Sequence, residues 1–246
     1  MEFIQTPVQT IEISPFKRFD IYQRERFPLK KYAPLVAAFS FSGLALSYLV
    51  TGGTAAISFH MFAVAFIVIL ALFAQLRICD EFKDKDIDAL YHPSRPVQRG
   101  LVRLESLKNA GIILLVIQIL LVLSLDAMLL GPLFLAYAYL YLMTREFFVR
   151  KWLRAHAAIY MISHMFILFF TDLFITSCHW MVSELTPPPA LLYFFGLSFM
   201  LAMIIEIGRK IRASQDEMPG VETYSLIWGA KQAIAVWLIS ATIAAG

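Results

Sequence analysis

Charge is scarce in this chain of 246 residues. Asp, Glu, Lys and Arg make up only 16% of it, which excludes a disordered acidic tail and an ordinary nucleic-acid binder. Cysteine is nearly absent: Cys79 and Cys178 stand far apart and in no CxxC spacing, so neither a disulfide scaffold nor a thiolate metal site is expected. There is no low-complexity tract and no convincing internal repeat. The first 32 residues lack the continuous apolar stretch and cleavage-like site of a secretion signal, so no cleavable signal is expected and this segment should lie on a membrane surface. What fills the chain instead is apolar. Hydrophobic residues make up 59% of it, at a mean hydropathy of +0.69, more than a water-soluble core can hide. The remaining class is a polytopic membrane protein.

About 20 apolar residues in helical form cross the hydrocarbon core. Seven such runs occur, roughly Ala33–Val50, Ala55–Leu76, Leu107–Leu125, Met128–Met143, Ala157–Ser177, Pro189–Ile207 and Tyr224–Ala245. Their Leu, Ile, Phe, Val and Ala show no period-two alternation, which favours helices over the strands of a barrel. The expected fold is an all-α transmembrane bundle of about seven spans in one domain, residues 1–246. The Pro187–Pro189 stretch should form a short turn opening the sixth span.

Basic residues orient this bundle. Six precede the first run, seven lie between the second and third, four between the fourth and fifth, and three follow the sixth, which is twenty of the twenty-one Lys and Arg. The intervening loops, near Gly52, Asp126 and Glu184, have none. An excess of Lys and Arg marks cytoplasmic loops, so the N-terminus and the polar segments at about 77–106 and 208–223 are expected on the cytoplasmic side of a plasma or organellar membrane.

The first of these segments opens Asp80-Glu81-Phe82-Lys83-Asp84-Lys85-Asp86-Ile87-Asp88. If the preceding helix continues, Asp80, Asp84 and Asp88 line one stripe, since each four-residue step advances about 6 Å and rotates only about 40°. Three carboxylates there repel one another unless a cation sits among them, and Mg²⁺ takes a few carboxylate oxygens together with water and substrate phosphate. The plainer alternative is a solvated helix end in which Lys83 and Lys85 pair with the acids. The chain goes on through Pro93-Ser94-Arg95-Pro96-Val97-Gln98-Arg99-Gly100, a turn-rich loop whose guanidiniums suit phosphate. A polar loop of this length is usually functional.

Together, the aspartate run and the following Arg95-Pro96 and Gly100 resemble the first aspartate-rich motif of the UbiA-type intramembrane prenyltransferase superfamily, NDxxDxxxD followed by RP and Gly. Asp80, standing where the motif has Asn, can still ligate Mg²⁺. Further on, Asp216, Gly220, Thr223 and Gly229 are similar to the family's second motif, DxxxGxxT with a Gly six residues later. Where family members with DxxxD carry an acid four residues earlier, this chain has Arg212. Either Glu206 compensates, or Arg209, Lys210 and Arg212 neutralise phosphate directly. Glu206 could equally pair with Arg209 or Lys210, and those cations could simply anchor the helix end.

The resemblance runs from about Arg24 to Gly229. It implies a Mg²⁺-dependent prenyltransferase that ionises an isoprenoid diphosphate and transfers the prenyl group to a lipophilic acceptor, aromatic or not. Asp80, Asp84, Asp88 and Asp216 would be catalytic and, with Glu206, would ligate the metal. The diphosphate would lie among Arg26, Lys85, Arg95, Arg99, Tyr141, Lys151, Arg209, Lys210 and Arg212. Such proteins usually have nine spans, so seven imply a truncated or naturally short member, and a homo-oligomer could supply the missing wall. Asp172 and His164, on a similar face of the fifth span, could bind substrate or satisfy one another through water. Two other readings stand beside this one: a UbiA-type terpene cyclase acting without an acceptor, and a divalent-cation transporter or lipid-binding protein. In each case the bilayer is a partner and nucleic acid is not.

Overall fold

The computed structural model describes residues 14–217 and 221–245, and among them every regular element is helical. Helix α1 (Pro15–Arg26) begins where Ser14 Oγ accepts the Lys17 N–H, with Pro15 supplying the fixed φ of a first turn. The chain then crosses back and forth through α2 (Leu29–Val50), α3 (Phe59–Lys83), a short α4 (Lys85–Tyr91), α5 (Leu104–Leu125) and α6 (Leu130–Thr144). Two short helices, α7 (Arg150–Ala155) and α8 (Ala157–Met165), lead into α9 (Ile167–Trp180), and α10 (Ala190–Arg209), α11 (Tyr224–Trp228) and α12 (Ala230–Ala245) follow.

Six segments are long and apolar enough to span a membrane: α2, α3, α5, Ala127–Thr144, Ala157–Trp180 and α10. The seventh expected run is broken. Gly229 at φ 84° divides it into α11 and α12, and the 16 residues of α12 extend only about 24 Å, short of a hydrocarbon core of about 30 Å. The second run also starts later than its hydropathy suggests, because Ser58 caps α3 through the Met61 N–H after a turn that uses Gly52 and Gly53 at positive φ.

Helix α3 occupies the centre, packed on α2, α5, α6 and α9. Its Val64, Val68 and Leu72 meet Leu44 of α2 and Phe174 and Ile175 of α9, all fully buried or within 1% of it. Lipid tails are as apolar as these side chains, so what holds the helices together is close packing and interhelical hydrogen bonds. Gly43 supplies the closeness: a Cβ there would stand 2.6 Å from Ile175 Cγ2. Gln118 supplies a bond, donating to the Val68 carbonyl at 2.9 Å, and the Tyr137 hydroxyl donates to Gln75 at 2.7 Å. A second cluster joins Met203 and Ile207 of α10 to Tyr224, Ala233 and Met161. Trp237 of α12 donates to the Ile204 carbonyl at 3.0 Å and lies over Gly208, which leaves it room. Outward residues such as Ile112, Ile113, Val116 and Leu120 of α5 are exposed and apolar, as lipid requires.

Successive spans run in alternating directions, so α1 and the segments 84–103, 145–156, 210–217 and 221–229 collect at one end of the bundle. Long-range bonds confirm the convergence. Arg99 holds Glu25 at 2.7 Å, Arg26 holds Glu81 at 2.6 Å and Arg154 reaches Asp84 at 3.7 Å. Twenty of the chain's basic residues belong to this end.

Candidate functional site

The expected continuous helix through the aspartate run breaks at Asp84. Its φ of −101° and ψ of 9° end α3 at Lys83 and start α4 at Lys85, although the Asp84 N–H still reaches the Asp80 carbonyl at 2.9 Å and the Asp88 N–H the Asp84 carbonyl at 2.8 Å. The three aspartates therefore share one end of α3 without sharing one surface. Asp80 and Asp84 keep side chains 40% and 35% exposed, whereas Asp88 is 5% exposed.

Protein cations explain that burial. Arg95 bonds one Asp88 oxygen and Arg26 lies 3.8 Å from the other. Arg26 belongs chiefly to Glu81, whose fully buried carboxylate also has Arg77 at 3.6 Å. Two oxygens in this knot, Glu81 Oε2 and Asp88 Oδ2, are buried with no hydrogen-bond donor among the described residues. Arg99 donates through both guanidinium nitrogens to Glu25, at 3.0 and 2.7 Å, and to the Ser94 carbonyl at 2.7 Å, tying the loop to α1.

Lys83 links this motif to the middle of the chain. Its ammonium lies 3.2 Å from Asp80 and donates to the Tyr160 hydroxyl of α8 at 3.1 Å. Beside it opens a cleft of about 370 Å³ whose walls include Arg145, Glu146 and Arg150. Glu146, Phe147 and Phe148 all have positive φ, at 47°, 52° and 60°, a left-handed turn costing roughly 1–2 kcal/mol per residue. Ion pairs offset the strain: buried Glu146 receives two Arg154 nitrogens, at 2.8 and 3.1 Å, and Arg150 at 3.1 Å. Arg150 also donates to the Lys83 carbonyl at 3.4 Å. Burial pushes the Asp84 carboxyl above the usual aspartate range; Lys83 draws it back, and the like charges of Asp80 and Asp88 raise it further.

The second cluster is arranged differently. Glu206 is bonded by Arg209 and lies 3.0 Å from Lys210, so it is paired on its own helix end. Asp216 is exposed in a 3-10 turn, Ser214–Asp216, its carbonyl 3.4 Å from the Arg212 guanidinium. Gly220 lies outside the described residues. Thr223 caps α11 by accepting the Leu226 N–H, and its hydroxyl donates to Glu217, as does Ser225. Those bonds hold the Glu217 carboxyl below its ordinary range. The segment α7–α8 bridges the clusters: Arg154, which reaches Asp84, lines one cavity with Glu222 and Trp228.

Of the remaining expected residues, Lys85 and Lys151 are exposed, and Tyr141 is exposed with its ring edge-on to Phe148. Asp172 is fully buried on α9, and His164 bonds the Tyr160 carbonyl. The sequence reading missed four contributors: Arg77, Lys83 as the link to Tyr160, Glu146 and Tyr160. Glu146 carried a signal, being an acid followed at helical spacing by Arg150 and Arg154.

Among the described residues, no group of three or more His, Cys, Asp or Glu side chains is gathered closely enough to hold a metal ion. Asp80, near Arg77 and Lys83, and Asp84, near Arg154, nevertheless present hard, half-exposed carboxylate oxygens, a donor type that suits Mg²⁺. Asp88 and Glu206 have their charge taken up by arginine and lysine.

No curated protein and no solved structure matches this chain. The family model for the UbiA prenyltransferase family matches residues 30–246, which takes in both aspartate-containing segments and, but for Leu29, all six spanning segments. With that match over most of its length, and with its apolar helices closing over a charged end, the chain is an integral membrane protein that belongs to the UbiA prenyltransferase family.

Proposed function

We propose that the protein is a Mg²⁺-dependent prenyltransferase, its charged end facing the cytoplasm, that ionises an isoprenoid diphosphate and transfers the prenyl group to a lipophilic acceptor, aromatic ones included. The observation that carries this reading is the cleft at the end of α3. There Lys83 stands between Asp80 and Tyr160 and lines the cleft together with Arg145 and Arg150, at the end of an apolar helix. The cations would bind the diphosphate and stabilise the charge it gains as the C1–O bond breaks, usually the largest catalytic contribution at such sites. The bundle would take the apolar tail and exclude water from the carbocation.

Asp80 and Asp84 would hold Mg²⁺, with Asp88, Glu206 and Asp216 as further carboxylates of the same end. A bound Mg²⁺ supplies neutralisation of the leaving diphosphate. Arg26 and Arg95 would hold Asp88, while Lys85, Arg99, Tyr141, Lys151, Arg209, Lys210 and Arg212 would line the approach of an anionic substrate.

The test is diphosphate release by the protein in lipid nanodiscs with Mg²⁺ and geranyl, farnesyl or geranylgeranyl diphosphate, with and without a mixture of phenolic acceptors. Release that needs the acceptors supports transfer. Acceptor-independent release with a cyclic hydrocarbon product makes the protein a cyclase, and no release with any donor sinks the reading. Asp84→Asn should abolish release in a protein that remains folded.

A further inference from the structure

One turn further along α3 and α6 from the cleft lies a small chamber of about 20 Å³, walled in part by Cys79, Asp80, Lys83, Thr144 and His164. That is room for about one water or one hydroxyl group. His164 is only 8% exposed. Its Nδ1 lies 2.8 Å from the Tyr160 carbonyl oxygen. A carbonyl can only accept, so Nδ1 carries the hydrogen of the neutral ring and Nε2 is the bare nitrogen. Among the described residues, Nε2 is buried and has no hydrogen-bond partner. The ring cannot easily turn to find one, because Tyr160 stacks on it at 4.0 Å and 11° and Phe147 meets its edge at 6.1 Å. Tyr160 is itself held by Lys83.

His164, with its unpaired Nε2, and Lys83 thus wall the same small space beside the charged cleft. Prenyl transfer leaves a proton to be removed, and an ammonium or guanidinium group is a donor with no lone pair to take it. We propose that His164 Nε2 is the base that takes up this proton, an inference that rests on the prenyl-transfer reading. In the step, the C1–O bond of the donor breaks and its electron pair leaves with the diphosphate. The acceptor atom bonds to C1, and the hydrogen that atom carried passes as a proton to Nε2, giving an imidazolium.

Two measurements test this. ¹⁵N-histidine NMR of the wild-type protein in nanodiscs should show His164 with hydrogen on Nδ1 and a bare Nε2; hydrogen on Nε2 overturns the proposal without any assay of activity. The second uses His164→Asn, whose amide can keep the donor to Tyr160, and His164→Gln. Both should lower turnover by about 100-fold or more, while binding of farnesyl thiodiphosphate, an unreactive donor, stays within about twofold. The loss should be greater with 4-hydroxybenzoate than with its more acidic 3-nitro derivative. Equal loss with both acceptors, or retained turnover while Asp84→Asn is dead, overturns the role of His164 and leaves prenyl transfer standing. Absence of diphosphate release from the wild type removes both readings.

Discussion

Replacing Arg26 with Met tests how the charged end is held together. The guanidinium is 11% exposed and donates at 2.6 Å to a Glu81 carboxylate that is fully buried and already has one oxygen without a donor. Without Arg26, Glu81 keeps only Arg77 at 3.6 Å, whereas Asp88 keeps Arg95. Removing one partner of a buried ion pair costs about 3–5 kcal/mol, because the remaining charge stays desolvated. Arg77 and Arg95 place the expected cost at the lower limit, about 3 kcal/mol or roughly 150-fold in the unfolding equilibrium. Glu81→Gln, which leaves Arg26 with Asp88 at 3.8 Å and an amide oxygen in place of the carboxylate, should cost only about 1–2 kcal/mol. The double variant should then be more stable than the sum of the single effects predicts, by roughly 2 kcal/mol. The assay is reversible unfolding in dodecylmaltoside–SDS mixed micelles, followed by tryptophan fluorescence and circular dichroism. A cost below about 1 kcal/mol for Arg26→Met, or additivity within about 0.5 kcal/mol, would refute the reasoning and release Arg26 for direct phosphate binding.

Three further outcomes are expected. The carboxyl of Asp84 is held above the ordinary aspartate range, so its stabilising contribution is fully present below the unfolded aspartate pKa and is lost as pH rises through the folded value. Asp84→Asn should thus remain at least as stable as wild type at neutral pH while losing that acid-side slope, which a pH series of melting curves will show. Gly229 has φ 84° and ψ 147°, and an added Cβ would stand 2.8 Å from Gln232 Oε1; Gly229→Ala should cost about 1–3 kcal/mol in the same unfolding assay. Gly43→Ala should cost about 1–3 kcal/mol by forcing α2 from Ile175, whereas Gly196→Ala, with nothing within 4 Å, should be neutral or stabilising by about 0.5–1 kcal/mol. Equal effects at the two glycines would mean that α2–α9 contact is not set by backbone approach.

The sequence by itself determined what depends on local composition. A run such as Phe59–Leu76 is apolar enough to lie in lipid whatever its neighbours, and a helix is the only open segment whose backbone satisfies itself there. The same locality made the one-sided basic loops and the aspartate motifs legible, because both are patterns along the chain. Only the tertiary structure decided how those charges pair. Arg26 meets Glu81 across 55 residues and Lys83 meets Tyr160 across 77, separations that no helical spacing encodes. Asp80, Asp84 and Asp88 look equivalent in sequence, yet the break at Asp84 and the reach of Arg95 bury one and leave two half-exposed. The bare nitrogen of His164 likewise follows from where the Tyr160 carbonyl falls and from the absence of a donor opposite. Hydrophobicity acts on each segment alone, whereas an ion pair or a tautomer is set within a few ångströms, a distance that exists only once the helices have packed.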